Sequence, residues 1–267
     1  AAPRMATVPV RESDGFAEPG HRLVERIVET ERAVLDGHAR GHFRSTIIRY
    51  PHVYGPRSLV PDEWHVIKRI QDGRRRWIMP GGGASITTRL ATRNAAHLVG
   101  LVIDRPETSG GQIYHAADDR AYPFREWIRM IAATLGHTFE FVDIPWSAFL
   151  GTAEPAFDPM ASEWLRGAPR GGGLRTHQLL SNEKSKTELG YADAVTPEEW
   201  MARTVEHLLA EPPPVDGSGN LKPEYFDYAL EDKILAWWDG VSAAVPQEVR
   251  TVVNRAHPYD HPKEKRS

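Results

Sequence analysis

The chain contains no cysteine among its 267 residues, which excludes a disulfide framework and any thiolate metal site. That fits a reducing compartment. No apolar run approaches the length of a membrane span, and the opening stretch, residues 1–10, lacks the apolar core of a signal peptide. The expected localisation is cytoplasmic, with no membrane partner. Neither sign of charge dominates: 33 basic against 36 acidic side chains leave a net −3, so no basic field recruits nucleic acid. No Gly-x-x-Gly-x-x-Gly spacing occurs. Such a turn holds a pyrophosphate between backbone N–H groups and a helix N-terminus. No tyrosine precedes Tyr50 and no lysine precedes Lys68. His38 and His42 have the i, i+4 spacing of helical metal ligands, but Gly37 and Gly41 interrupt that helix and no carboxylate completes a site. No metal is expected.

What is present reads as alternating strand and helix, the pattern of α/β layers. A polar, turn-rich opening comes first, either a flexible N-terminus or a mid-protein loop exposed by truncation. Leu23, Ile27, Val34 and Leu35, widened by Val24 and Val28, give residues 21–38 an apolar helical stripe. The β-branched run Thr46-Ile47-Ile48 predicts a buried strand, and Pro51, Gly55 and Pro56 force a loop after it. Pro61-Asp62-Glu63 opens a helix reaching residue 71, with acidic residues suited to its first turn. Strands are expected around residues 77–79, 112–116 and 138–144. Helices are expected over 94–104, 122–135, 183–189, 197–210 and 225–239. Arg74-Arg75-Arg76 reads as solvated loop charge, and Trp237-Trp238 as part of a C-terminal helix packing on the body. Gly81-Gly82-Gly83 and Gly171-Gly172-Gly173 read as ordinary loops, and residues 145–173 as irregular, like a substrate-side lobe or lid.

Three blocks carry a resemblance. Ile47-Ile48-Arg49-Tyr50-Pro51-His52-Val53-Tyr54-Gly55-Pro56-Arg57, then Thr92-Arg93-Asn94-Ala95-Ala96-His97-Leu98-Val99, then Ser181 to Tyr191 followed by Thr196-Pro197-Glu198-Glu199 stand in series. In this order the chain resembles the extended short-chain dehydrogenases/reductases, the NAD(P)-dependent epimerases and dehydratases. The resemblance covers roughly residues 8–210. It implies the C-terminal part of a Rossmann-type doubly wound α/β sheet plus the family's smaller substrate-binding lobe. The implied organisation is a polar lead-in over 1–20, a partial Rossmann-type portion over 21–144, substrate lobe and closing helices over 145–214, and a C-terminal helical extension over 215–267.

By the same resemblance, Tyr50, Pro51 and His52 lie against the nicotinamide end of NAD or NADP, with a structural reading of His52 left open. Tyr54 and Arg57 lie near substrate. In nucleotide-sugar members, an Arg ahead of the second block binds a substrate phosphate. Counting back from Asn94 puts Thr87 there, and Arg89 could serve only if period-two alternation kept both on one face. The family's Tyr-x-x-x-Lys pair falls on Leu23 and Ile27, so no catalytic residue is assigned. A Tyr259-to-Lys263 spacing exists in the tail, but Pro262 breaks it. The sequence therefore leaves two readings: part of an epimerase/dehydratase-like oxidoreductase acting on a small or sugar-like carbonyl or hydroxyl substrate, or a non-catalytic dinucleotide-binding protein of the same fold. The first half of the family's fold is not expected in this chain, cofactor binding by the chain alone is in question, and a homo-oligomer is possible.

Overall fold

A computed structural model describes residues 8–16, 22–145, 177–219 and 221–246. The stretch 146–176 with its Gly171–Gly173 run, most of the lead-in, and the Tyr259–Lys263 tail lie outside the described residues. Eight helices and eight strands are described. In chain order they are α1 (Arg22–Ala39), β1 (Ile47–Arg49), β2 (His52–Tyr54), α2 (Glu63–Gln71), β3 (Arg76–Pro80), β4 (Ile86–Thr87), β5 (Arg89–Ala91), α3 (Thr92–Asp104), α4 (Pro106–Ser109), β6 (Ile113–His115), β7 (Tyr122–Pro123), α5 (Phe124–Thr134), β8 (Glu140–Ile144), α6 (Glu183–Leu189), α7 (Pro197–Ala210) and α8 (Tyr228–Ala243). Strands β1 and β6, β2 and β5, and β3 and β8 pair in parallel, while β4 and β7 pair antiparallel. The fold is mixed α/β with parallel pairing, as the sequence pattern predicts.

Proline decides where the chain changes partner. After β1 has paired with β6, Pro51 offers no N–H to that ladder. The chain turns there and resumes as β2 against β5. A second switch follows Thr87. Strand β4 ends on it and β5 begins at Arg89, while Thr88 donates its N–H to the Gln178 carbonyl at 2.8 Å. The uninterrupted alternation that would set Thr87 and Arg89 on one strand face is therefore broken.

Helix α5 buries Phe124, Trp127, Ile128, Ile131 and Ala132, the i, i+3, i+4, i+7, i+8 set of one helical face. It starts at Phe124 rather than at Tyr122, because Tyr122 and Pro123 are taken by the pairing with β4. Its buried face meets Trp64, Ile67, Met201 and Val205 in the main core. Helix α7 is started by a capping box: Glu199 N–H donates to Thr196 Oγ1 at 3.3 Å, and Thr196 N–H donates to the Glu199 carboxylate at 3.0 Å. Gly190, at φ +65°, closes α6 in the left-handed conformation that favours glycine.

Two sequence expectations are corrected. In α1 the buried positions are Val28, Glu31 and Gly37, while Leu23 is 60% and Ile27 40% exposed. The apolar stripe is thus wider than the face the described residues cover. Arg74 and Arg76 are not solvated loop charge. Arg74 pairs with Glu231 and Asp232, and Arg76 grips Asp239 through two hydrogen bonds of 2.7 and 2.9 Å. Those carboxylates belong to α8, whose Leu235 packs against Ile78, Val142 and Ile144. The C-terminal helix is docked on the β3–β8 pair by an apolar contact rimmed with ion pairs. No helix among the described residues is long and apolar enough to cross a membrane.

Candidate functional site

The second half of the Tyr50–Arg57 block is bound to the second block by one buried carboxylate. Asp118, just beyond β6, accepts the Tyr54 hydroxyl at 2.9 Å, the Ala91 N–H at 3.0 Å and the Asn94 amide at 2.8 Å. Its own N–H donates to the Arg89 carbonyl at 3.0 Å. Asn94 completes the link. Its amide also donates to the Val195 carbonyl, and its side-chain oxygen accepts the N–H groups of Ala194 and Val195 at 2.9 and 3.0 Å. Burial raises Asp118 to about 6, against the three hydrogen bonds that favour its charge. Burial, with Asp118 beside it, pushes the Tyr54 phenol far up. Tyr54 is fully buried and keeps its proton, so its hydroxyl is engaged in holding the fold.

Above this node lies a cluster of ionisable side chains on β2, β5 and the start of α2. His52 and Arg89 are register partners across the β2–β5 pair. His52 Nε2 stands 3.4 Å from Asp62 Oδ2. Burial, and then the Arg89 cation, lower His52 to about 3. The ring is therefore neutral, and its contact with Asp62 is polar rather than an ion pair. Arg89 lies 4.2 Å from the centroid of the Trp127 ring and donates to the Thr87 carbonyl at 3.4 Å. Burial lowers the guanidinium to about 10, opposed by Glu63 and Asp62. Glu63 is buried at the first position of α2 and raised by that burial to about 7. Two cavities of about 260 and 360 Å³ lie elsewhere, one along α3 and one between Arg74 and α8, and neither is lined by His52, Glu63 or Arg89.

The other residues singled out in the sequence fall around this cluster. Tyr50 sits at the strand switch, 46% exposed, with its phenol raised by burial of its remainder. Pro51 is half-buried beside it. Arg57 is exposed and adopts a left-handed φ of +62°. Thr87 is buried and paired with Tyr122 and Gln178. Leu23 and Ile27 offer no ionisable group. Sequence alone does not mark Asp118, Glu63 and Trp127 as site residues. The Asp62-Glu63 pair ahead of α2 was legible only as favourable helix-start charge, and Asp118 follows β6 in no motif.

No family model matches the chain. In sequence it is 28% identical over 211 residues to the human sterol-4-alpha-carboxylate 3-dehydrogenase, decarboxylating, covering 71% of this chain and 53% of that protein. It is 25% identical over 184 residues to a 4-hydroxy-2-methyl-3-oxo-4-farnesyl-3,4-dihydroquinoline-1-oxide ketoreductase of Stigmatella aurantiaca, covering 65% and 52%. In structure it is similar to a UDP-glucose 4-epimerase of Thermotoga maritima solved with UDP-glucose, with a TM-score of 0.58, 18% identity, and 78% and 59% of the two chains covered. A dTDP-glucose 4,6-dehydratase of Streptomyces venezuelae solved with NAD gives 0.55, 20%, 79% and 57%. The chain carries the sequence pattern and the fold of the extended short-chain dehydrogenases/reductases. It spans about half the length of the curated relatives it matches.

The Streptomyces venezuelae neighbour was solved with NAD, and the residues that the resemblance sets against a nicotinamide ring stand at the strand switch between β1 and β2. Tyr50 is exposed there, Pro51 is half-buried and the His52 side chain is only 11% exposed. Among the described residues, no glycine-rich turn leads into a helix N-terminus as a pyrophosphate cradle does. Gly81–Gly83 forms a single 3₁₀ turn, and a Cβ on Gly83 would overlap the Met79 sulfur, so that glycine serves packing.

Proposed function

We propose that the chain forms the nicotinamide-side and substrate-side portion of an NAD(P)-dependent epimerase/dehydratase-like oxidoreductase. Its substrate is a small or sugar-like molecule bearing a hydroxyl or carbonyl group. The observation carrying this reading is the strand switch at Tyr50–Pro51–His52, with the His52–Arg89–Glu63 cluster immediately beyond it on the paired strand and helix. The relatives support it: one is named a dehydrogenase and another a ketoreductase, both acting at a hydroxyl or carbonyl carbon. In this reading Tyr50, Pro51 and His52 wall the nicotinamide, and Arg57, Thr87 and Arg89 border the substrate. Tyr54 holds the floor through Asp118.

The usual acid–base pair has no counterpart. A Tyr-x-x-x-Lys pair works because the lysine cation stabilises the phenolate that exchanges a proton with substrate. Leu23 and Ile27 can do neither. That absence favours a second reading, a protein that binds a dinucleotide without turnover. Titrating the protein that carries this chain with NADH and NADPH, then following nicotinamide absorbance over a panel of ketones and hydroxy compounds, separates the two. Binding with turnover supports the oxidoreductase. Binding without turnover on any compound supports the second reading, and no binding of either nucleotide refutes both.

A further inference from the structure

Helix α3 carries its two end charges the wrong way round. Arg93 stands in its first turn and Asp104 at its last position, with no acidic residue in the first turn and no basic one in the last. The macrodipole of a helix is positive at the N-terminus and negative at the C-terminus, so each side chain faces its own sign. Both are exposed, and neither has an ion-pair or side-chain hydrogen-bond partner among the described residues. Between them runs the groove of about 260 Å³ along α3, closed on one side by Ala194. The α3 residues that line it form three pairs about a point midway between Leu98 and Val99: Arg93 with Asp104, Ala96 with Leu101, and His97 with Gly100. The opposite face of the helix is occupied, with Asn94 and Leu98 buried. On the groove face Gly100 leaves a hollow, since an added Cβ would meet nothing within 4 Å beyond its own helix backbone. His97 leans on the buried Tyr191, ring centroids 6.1 Å apart, and Ile103 beside the groove is 68% exposed.

We propose that this face of α3 is the contact between two copies of the chain, packed antiparallel about a two-fold axis that passes between Leu98 and Val99. In such a contact residue i of one copy meets residue j of the other, and j meets i. A lining that reverses onto itself, with opposite charges paired and a ring matched to a glycine, meets that requirement. Arg93 faces Asp104 of the partner subunit, twice over, because the same separation of about 16 Å along the axis recurs in both helices. Each His97 ring fills the hollow at Gly100 of the partner subunit. The pairing also reverses the dipole conflict. Each arginine comes against the C-terminal end of the opposite helix, and each aspartate against its N-terminal end. Exposed ion pairs add little affinity and mainly set register and orientation. The rest comes from ridge-into-groove packing at the glycine and from covering Ala96, Leu101 and Ile103. The inference does not depend on the proposed function.

Sedimentation equilibrium of the 267-residue chain over a range of concentrations tests this. The native chain should show a reversible monomer–dimer equilibrium. Asp104→Arg sets two like-charged pairs across the axis and should weaken association about tenfold or more, and Arg93→Asp should do the same. Both losses should shrink when salt is raised to about 0.5 M, because the charges are exposed. The double exchange, Arg93→Asp with Asp104→Arg, re-forms both pairs and should associate more tightly than either single variant, a non-additive result that loss of fold cannot mimic. It should stay weaker than native, since each new charge then faces its own sign on the opposite helix. Gly100→Leu fills the hollow and should abolish the dimer. In a single copy that side chain points into open space, and leucine is the better helix former. Its melting temperature, taken at a dilution where the native chain is monomeric, should therefore not fall. The proposal is overturned by a native chain that stays monomeric at every concentration reached, or by a double exchange no tighter than the single reversals. It is also overturned by association unchanged in Gly100→Leu and Asp104→Arg, which would move the contact elsewhere, such as the exposed Leu23–Ile27 side of α1.

Discussion

Replacing Asn94 with alanine should cost about 3 kcal/mol of stability. The side chain is fully buried and makes four hydrogen bonds, one to Asp118 and three to the backbone of Ala194 and Val195. Ala194 is exposed and Val195 half-buried, so water can replace those three bonds, at roughly 0.5 kcal/mol each. Water does not reach Asp118 as readily, and losing a hydrogen bond to a buried carboxylate costs about 1.5–3 kcal/mol. Urea denaturation followed by tryptophan fluorescence should show a lower midpoint with an unchanged slope. Asn94→Asp sharpens the test. It keeps the two acceptor contacts but sets a second carboxylate against Asp118, itself raised to about 6. Like charges cannot both ionise cheaply there, so this variant should lose more stability at pH 8 than at pH 5. A loss below about 1 kcal/mol for Asn94→Ala, or a pH-independent loss for Asn94→Asp, would refute the role given to this node.

Glu63→Gln should stabilise the protein increasingly with pH. The native carboxyl sits near 7 against an ordinary 4.5, so its contribution is full below 4.5 and is lost as pH rises through 7. Relative to pH 4.5 the variant should gain about 3 kcal/mol by pH 8, read from urea midpoints; a gap that stays constant would show that Glu63 titrates normally. Glu231→Gln should cost about 3 kcal/mol, because it leaves Arg69 buried without its carboxylate, and hydrogen exchange should report it first as lost protection in α8. Gly55→Ala should destabilise by more than about 2 kcal/mol. Gly55 has φ +140°, and an added Cβ would overlap Thr92 Oγ1 and Trp200 Nε1, which are hydrogen-bonded to each other at 2.9 Å; an unchanged melting temperature would contradict that crowding.

What the sequence revealed was local. The Thr46–Ile48 strand, the break at Pro51, the α7 start at Thr196–Glu199 and the Gly190 stop each follow from residues within a few positions of one another. What it concealed was distant. Arg74 reads as solvated until Asp232, 158 residues later, is brought beside it. Glu63 reads as a helix-start charge, yet the fold buries it completely. Asp118 has no motif around it, and its importance comes from Tyr54, Ala91 and Asn94 meeting at one point from three separate segments. The strand alternation that would align Thr87 with Arg89 fails because Thr88 turns to Gln178 and Leu180, and no residue near Thr88 announces that.

The central claim is that this chain offers a nicotinamide and substrate side without a pyrophosphate cradle. Comparing reduced nicotinamide mononucleotide with NADH, both titrated into the 267-residue chain by nicotinamide fluorescence, tests it most directly. The account predicts saturable binding of both within about threefold of each other, weakened for both by Tyr50→Ala, because the adenosine diphosphate half finds nothing to hold it. NADH binding a hundredfold or more tighter, about 2.7 kcal/mol, would contradict it, since that preference requires a phosphate-binding turn, and the sequence has no Gly-x-x-Gly-x-x-Gly spacing.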